Sequence, residues 1–301
     1  MSRVAGAIDF GGTKLMVGLV TETGMVLDRE TVHTPKEAGP SAVADEAARL
    51  LRLVTARRGL CLADLAAVGS TVPGLADTGS GTLLMAPVLG WRNVPFADML
   101  SDRLGITARI ANDVNACALA EQRFGVGRGV PSLLWMTVST GIGAGLILNG
   151  KIFEGASGIA GEVGHLVLEE GGRECGCGHR GCLEALAAGP AIASRARSAG
   201  LDVPDATEVS RLARAGNPVA LRVLAETSVY LGQAVALCVN LLDLDLVVFG
   251  GGVSQSLDLL LPGIMATVRQ RVVMPEERAL RVEPSSLGYE AALIGAGSLV
   301  L

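Results

Sequence analysis

Short apolar runs with the extended period of a strand alternate along this chain with stretches of helical period. Residues 4–9 are apolar and strand-like, break at Gly11-Gly12-Thr13-Lys14, and resume as a strand over 15–20 before Gly24 turns the chain toward Val26 and Leu27. This is strand, glycine loop, strand. The dinucleotide fingerprint and the Walker loop both need a helix after the glycines, so neither is expected. Residues 41–58 set Ala42, Val43, Ala47, Leu50, Leu51 and Val54 on one helical face. A buried strand over 66–70 ends at Pro73-Gly74, a helix follows over 98–104, and a strand over 108–111 stops at Asn112-Asp113. Residues 114–124 are helical, capped by Asp113 or Asn115. A strand over 132–138, a loop of Ser139-Thr140-Gly141-Ile142-Gly143-Ala144-Gly145 and a strand over 146–148 repeat the opening hairpin distantly. Helices over 189–198 and 218–241, a buried strand over 244–249 ending in Gly250-Gly251-Gly252, and a small-residue helix over 291–301 complete the reading.

Composition narrows the class. Half of the 301 residues are apolar and 18% charged, enough for a sizeable core, and the net charge of −5 argues against nucleic acid or an anionic membrane as partner. No basic leader precedes a long apolar run, and no segment is expected to reach the ~20 apolar residues of a membrane span. Cys61, Cys117 and Cys238 show no disulfide pattern, as expected in a reducing cytoplasm. With no low-complexity linker, two domains would be joined by a hinge.

The chemistry concentrates in a few segments. Cys175, Cys177 and Cys182 fall within eight residues, a density of thiolates that suits tetrahedral Zn²⁺. Cysteines two apart are poorly placed for a mutual disulfide. Either His165 or His179 completes the set, and a closed set of four leaves no position for a catalytic water, so the zinc is read as structural. Glu162 and Glu184 frame the cluster with acidic walls. Three glycine loops after buried strands, at residues 10–13, 140–145 and 250–252, present backbone N–H groups that hold anions, and together they point to a split nucleotide site. Asp9, before the first loop, is placed to hold Mg²⁺ or to cap a turn. Lys14 either contacts phosphate or is a solvated strand residue. Asn112-Asp113 at a strand end offers a carboxylate to take a hydroxyl proton and an amide to hold a sugar hydroxyl; the bland reading is a helix cap.

Asp9-Phe-Gly-Gly-Thr-Lys, Asn112-Asp113, Thr140-Gly-Ile-Gly-Ala-Gly, Glu162-Val-Gly-His165, the three-cysteine segment ending in Leu-Glu184, and Gly250-Gly-Gly occur in an order that resembles the ROK family of repressors, open reading frames and kinases, and its bacterial glucokinases most. The resemblance covers essentially the whole chain. It implies an α/β protein with the two-lobed, actin-like ATPase (ribonuclease H-like) fold and a cleft for sugar and ATP. The expected small lobe is residues 1–117 plus 290–301 and the large lobe 118–289. By resemblance Asp113 is the general base on the sugar 6-hydroxyl, and Asn112, Glu162, His165, Glu184 and Gly74 contact the sugar. His165 then holds both zinc, with Cys175, Cys177 and Cys182, and the sugar. ATP is expected against Gly11, Gly12, Thr13, Lys14, Thr140, Gly141 and Gly143, with its adenosine near Gly250, Gly251 and Gly252, and Mg²⁺ at Asp9.

Two residues depart from the family pattern. Ser139 stands where glycine is common in the second loop, and Val88 replaces an asparagine in Ala-Pro-Val-Leu-Gly-Trp. The leading expectation is a cytoplasmic ATP-dependent glucokinase acting as a homodimer or homotetramer. A kinase for N-acetylmannosamine, N-acetylglucosamine, mannose or fructose, and a silent sugar-binding protein, are the alternatives. A repressor is disfavoured, because the first glycine loop starts ten residues into the chain and leaves no room for a DNA-binding module.

Overall fold

The computed structural model describes residues 3–301. They divide into two compact units. One runs to Arg128 and adds Glu154–Ala160 and Tyr289–Leu301; the other comprises Gly129–Phe153 and Gly161–Gly288.

In the first unit β1 (Val4–Phe10), β2 (Lys14–Thr21) and β3 (Val26–His33) form an antiparallel meander. Helix α1 (Gly39–Arg57) leads to β4 (Val68–Val72), parallel to β1. A small antiparallel sheet of β5 (Leu75–Asp77), β6 (Thr82–Ala86) and β7 (Trp91–Val94) comes next. Helix α2 (Phe96–Leu104) returns the chain to β8 (Ala108–Asn112), parallel to β4, and α3 (Asp113–Phe124) follows at once. The main sheet has the order β3-β2-β1-β4-β8. Strand β1 is apolar on both faces because both are covered. Gly6 faces Leu51 of α1, whereas Gly69, on the opposite side, lies against the backbone of Ala296 near the C-terminus.

The second unit repeats the plan. Strands β9 (Leu133–Val138), β10 (Ile142–Leu148) and β11 (Lys151–Ile152) form the meander. Helices α4 (Leu183–Ala187), α5 (Gly189–Ser198), α6 (Ala206–Arg214) and α7 (Pro218–Leu242) precede β12 (Leu246–Gly250); α8 (Leu257–Arg271) and β13 (Arg281–Pro284) close the sheet in the order β11-β10-β9-β12-β13. Helix α9 (Ala291–Ser298) then rejoins the first unit and packs on β1, β2, β4 and α3.

Three findings differ from the sequence reading. The expected division at 117/118 would separate Asp113 from most of α3, but α3 packs along α9 and the whole helix stays with the first unit. Helix α7 is long and apolar enough to span a membrane, against the expectation that no segment would be. Most of it is buried, packed by α4, α5, α6 and α8, so its apolar residues are core residues. Residues 142–145, read as loop, belong to β10, which pairs with β9 from Ile142 onward. Only residues 139–141 turn.

Candidate active site

The parallel strands of the first unit bring a carboxylate pair to their C-terminal ends. Asp9 on β1 sits beside Thr71 on β4, whose hydroxyl donates to Asp9 Oδ1 at 2.8 Å. Thr71 Oγ1 in turn accepts from the Phe10 N–H at 3.2 Å. Asp113 opens α3 directly after β8. Burial raises the Asp9 carboxyl above the usual carboxylate range. Burial, and then the negative charge of Asp9, pushes Asp113 up to about 6. Among the described residues neither carboxylate has an ion-pair partner. A cation is therefore chemically at home here, and Asp9 fits Mg²⁺ directly or through water.

Asn112 meets both readings of the Asn-Asp pair. It caps α3, its Oδ1 accepting from Val114 and Asn115 N–H at 3.0 and 3.3 Å. Its Nδ2 donates to the Gly74 carbonyl at 2.9 Å, leaving one amide proton for a ligand. Gly74 has φ +125, and a Cβ there would lie 2.3 Å from the Met85 carbonyl oxygen, so the position needs glycine.

The Gly11-Gly12-Thr13 loop joins β1 to β2 and is held by backbone and by one buried hydroxyl. Gly11 N–H donates to Lys14 O at 2.9 Å, Thr34 Oγ1 donates to Gly11 O at 2.7 Å, and Thr34 N–H donates to Thr13 O at 3.0 Å. Lys14 is exposed, with its ammonium 5.5 Å from the centre of the Tyr289 ring. Val88 is 77% exposed and reaches over Gly12.

In the second unit the segment that carries Glu162 and His165 lies flat on β10. Cβ atoms at Gly161 or Gly164 would sit 2.1 and 2.0 Å from the carbonyl oxygens of Ala144 and Ile142. Both glycines are required by that approach. His165 turns Nδ1 toward Cys175 Sγ at 3.7 Å and Nε2 toward Glu162 at 3.7 Å. The ligand atoms of His165, Cys175, Cys177 and Cys182 all lie within 4.8 Å of one another, and Cys177 Sγ is 3.6 Å from Cys182 Sγ. Ligands of a tetrahedral zinc with ordinary Zn–S and Zn–N lengths stand about 3.6–3.8 Å apart. The donor set and spacing thus fit zinc. His179, the rival histidine, is exposed, and its ring reaches Cys177 Sγ at 3.5 Å.

Glu184 does more than line a wall. Its Oε2 accepts from the Ile142 N–H at 3.0 Å, and its Oε1 lies 4.0 Å from Cys175 Sγ. It therefore ties the cysteine segment to the β9–β10 turn. Ser139 closes that turn by donating N–H to Gly141 O at 2.9 Å and accepting from Gly189 N–H at 2.8 Å. Thr140 and Gly141 are in the turn as expected, but Gly143 is inside β10 opposite Thr137, where its N–H faces a strand and not a loop. Gly250 likewise ends β12, and Gly251 and Gly252 begin the turn that leads to α8.

Beside these turns is a cavity of about 720 Å³ that the sequence reading did not foresee. Ser139, Thr140 and Gly252 line one side and α5 and α6 the other. Three arginines reach it, each already engaged. Arg197 donates to the Val203 and Pro204 carbonyls, Arg211 pairs with Glu208, and Arg214 pairs with Asp258. The sequence signal for α6 was Asp205 three residues before Glu208; the Asp205 side chain caps the helix by accepting from Glu208 N–H at 3.1 Å.

The ROK family pattern matches residues 5–301 of the chain. A glucokinase of Halalkalibacterium halodurans is 32% identical over 308 aligned residues, which cover 97% of this chain and 93% of that one. The crystal structure of a ROK family glucokinase from Streptomyces griseus in complex with glucose and AMPPNP matches with a TM-score of 0.83 and 32% identity, over 99% of each chain. An N-acetylglucosamine repressor of Escherichia coli is 32% identical over 248 residues, 79% of this chain but 61% of the repressor. The mixed α/β architecture with two open five-stranded sheets is that of the actin-like ATPase fold of the ROK glucokinases, and the chain belongs to the ROK family.

Proposed function

We propose that the protein is an ATP-dependent hexokinase that phosphorylates glucose at its 6-hydroxyl. The observation that carries this reading is the Asp113 carboxyl, half-buried at a strand end and tuned to about 6 by burial and by Asp9. A base with that proton affinity is ionised at neutral pH yet accepts a proton readily in a transition state. As the sugar O6 attacks, its proton passes to Asp113, the bond from O6 to the γ-phosphorus forms, and the bond from that phosphorus to the β,γ-bridging oxygen breaks. The products are glucose 6-phosphate and ADP.

The other residues bind and orient. Asn112 offers its remaining amide proton to a sugar hydroxyl. Glu162 is an exposed acceptor, and His165 offers Nε2, for the hydroxyls beside the anomeric carbon. Residues 11–13 and the turn at 139–141 present N–H groups to phosphate, and the cavity beside α6 has the volume for a nucleoside. Zn²⁺ held by His165, Cys175, Cys177 and Cys182 would supply a cross-link that orients His165. Mg²⁺ held by Asp9 would neutralise phosphate charge. The same reading makes this a cytoplasmic enzyme.

A coupled assay of ADP release across a panel of hexoses tests the proposal. Glucose is expected to give the highest kcat/KM, ahead of mannose and the 2-acetamido sugars. A hydrogen bond to a charged group contributes about 1.5–3 kcal/mol, or roughly 10- to 150-fold per lost bond. If fructose or N-acetylmannosamine outperforms glucose, the sugar assignment fails and the kinase assignment stands. The similarity to a repressor supports one other reading, a regulator that binds sugar without turnover. That reading requires tight sugar binding with no ADP release from any hexose.

A further inference from the structure

The cysteine segment is laid out for a reversible oxidation as well as for a metal. Its thiols differ in access: Cys177 is exposed, Cys175 part-buried and Cys182 buried. Cys177 Sγ lies 3.6 Å from Cys182 Sγ, so an accessible sulfur has a sheltered one beside it. Cys182 is fixed, capping α4 and bridging to Val167. Cys177 stands between Gly176 and Gly178, which have open space around them, and Gly178 has φ +92. The segment that carries Cys177 therefore has room to close the gap to the ~2.0 Å of an S–S bond. His179 is not needed as a ligand once His165 completes the set. Its Nδ1 lies 3.5 Å from Cys177 Sγ, which puts a proton donor beside that sulfur. The other cysteines lack this setting. Cys117 and Cys238 are buried, and Cys61 is exposed in the first unit, apart from the cluster.

We propose that Cys177 and Cys182 form a peroxide-driven disulfide switch that governs the metal site. Cys177, the sulfur that hydrogen peroxide reaches, attacks one peroxide oxygen. The S–O bond forms, the O–O bond breaks, and hydroxide leaves, taking a proton from His179 or from water. Cys182 Sγ then attacks the sulfenic sulfur of Cys177. The S–S bond forms, the S–O bond breaks, and a second hydroxide leaves. The two thiolates lose two electrons in all, and one peroxide gains them. Only Cys175 and His165 remain as donors, half of a tetrahedral set, so zinc is lost. A dithiol reductant with fresh Zn²⁺ reverses the change. The consequence for the sugar rests on the kinase reading: His165 loses the cross-link that orients it, and glucose binding weakens.

The test treats zinc-loaded, full-length protein with hydrogen peroxide, follows released zinc with a chromogenic chelator, and maps thiol pairing by peptide mass without reduction. One zinc released per Cys177–Cys182 disulfide is expected, and dithiothreitol with added Zn²⁺ should restore the metal content. Zinc retained under excess peroxide overturns the proposal. Zinc loss with Cys175 in the bridge, or with sulfinic acid and no bridge, overturns it as well. Cys61→Ser is expected to release zinc at the wild-type rate, and loss of the response in that variant would move the switch away from the cluster. His179→Asn should start with full zinc content and release it about 2- to 12-fold more slowly, the span of one ordinary hydrogen bond. An unchanged rate removes His179 from the switch. By calorimetry the disulfide form should bind glucose about 2- to 12-fold more weakly than the reduced, zinc-loaded form. Equal affinity breaks the link to the sugar. Peroxide-driven zinc release in a protein that gives no ADP with any hexose leaves the switch standing and removes the kinase reading. Sugar phosphorylation by a protein that keeps its zinc under peroxide does the reverse.

Discussion

The two five-stranded sheets share one strand order, yet their first turns are held by different means. In the first unit the Gly11-Gly12-Thr13 turn is closed by its own hairpin and by Thr34, the residue that follows β3. In the second unit the turn at 139–141 has its own Ser139 N–H to Gly141 O bond and is held in addition from outside the sheet, by the Glu184 carboxylate at Ile142 N–H and by Gly189 N–H at Ser139 O. Glu184 is the second residue of α4, which Cys182, one of the four clustered ligands, immediately precedes. The first turn is thus self-supporting. The second is braced in addition by the metal segment, and any influence of zinc on the nucleotide should be confined to the second unit.

The largest expected effect breaks the chemistry and spares both turns. Asp113→Ala should lower kcat by ~10²–10⁴-fold with ATP and sugar still bound. Near-normal turnover in a folded variant would remove Asp113 as the base. The wild-type kcat/KM should fall tenfold per pH unit below about pH 6, where Asp113 takes up its proton. The sign for stability runs the other way from a salt-bridged carboxylate. The folded state keeps this proton to about pH 6 and the unfolded chain only to about 4, so stability is lost as pH rises through that window. Asp113→Asn should therefore raise Tm at pH 7, an advantage that disappears below pH 4.

Next in size is the link between zinc segment and turn. Glu184→Ala strands the Ile142 N–H, and a hydrogen bond to a charged group contributes about 1.5–3 kcal/mol, so the KM for ATP should rise by roughly 10- to 150-fold. An unchanged KM would mean that the second turn supports itself as the first does. Wild-type protein should contain about one Zn²⁺ per chain by elemental analysis. Cys177→Ser should lower that content, because it removes one of the four ligands of the closed site. Amide hydrogen exchange then sharpens the contrast: the Ile142 amide should lose protection in Cys177→Ser while the Gly11 amide keeps it. Equal loss at both would contradict the division. The smallest effect belongs to Thr34→Val, which removes one neutral hydrogen bond to Gly11 O and should cost about 0.5–1.5 kcal/mol by denaturant titration, with zinc content unchanged.

Much of this was legible in the chain because the signals were local. The β1–β2 hairpin, the helices at 189–198 and 218–242, and the strand that ends at Asn112 follow from short-range periodicity and breakers. The cysteine segment was legible for the same reason, its four donors arriving from eighteen residues of sequence, His165 to Cys182. Helix α8 was missed because Pro262 lies inside it, and a proline in an apolar run reads as a break. The three-stranded sheet β5–β7 was missed because its strands are three to five residues long and only part-buried. Glycines mislead in both directions: Gly143 and Gly145 looked like loop, but strand pairing with β9 overrides the weak preference of glycine against a strand.

The order of strands and turns, the chemical type of each candidate side chain and the donor set for a metal are properties of neighbouring residues, and the sequence alone determined them. Partner and proton affinity are not. The Asp113 carboxyl, at the start of α3, is pushed up by burial and then by Asp9, which comes from β1. Glu184 finds the Ile142 amide 42 residues away, and Asn112 spends an amide proton on Gly74, 38 residues away. His165 joins the three cysteines in one four-donor set because its segment is pressed onto β10 through Gly161 and Gly164. Desolvation, charge proximity and hydrogen-bond pairing act through space, and spatial neighbours far apart in the chain exist only once the sheets have formed.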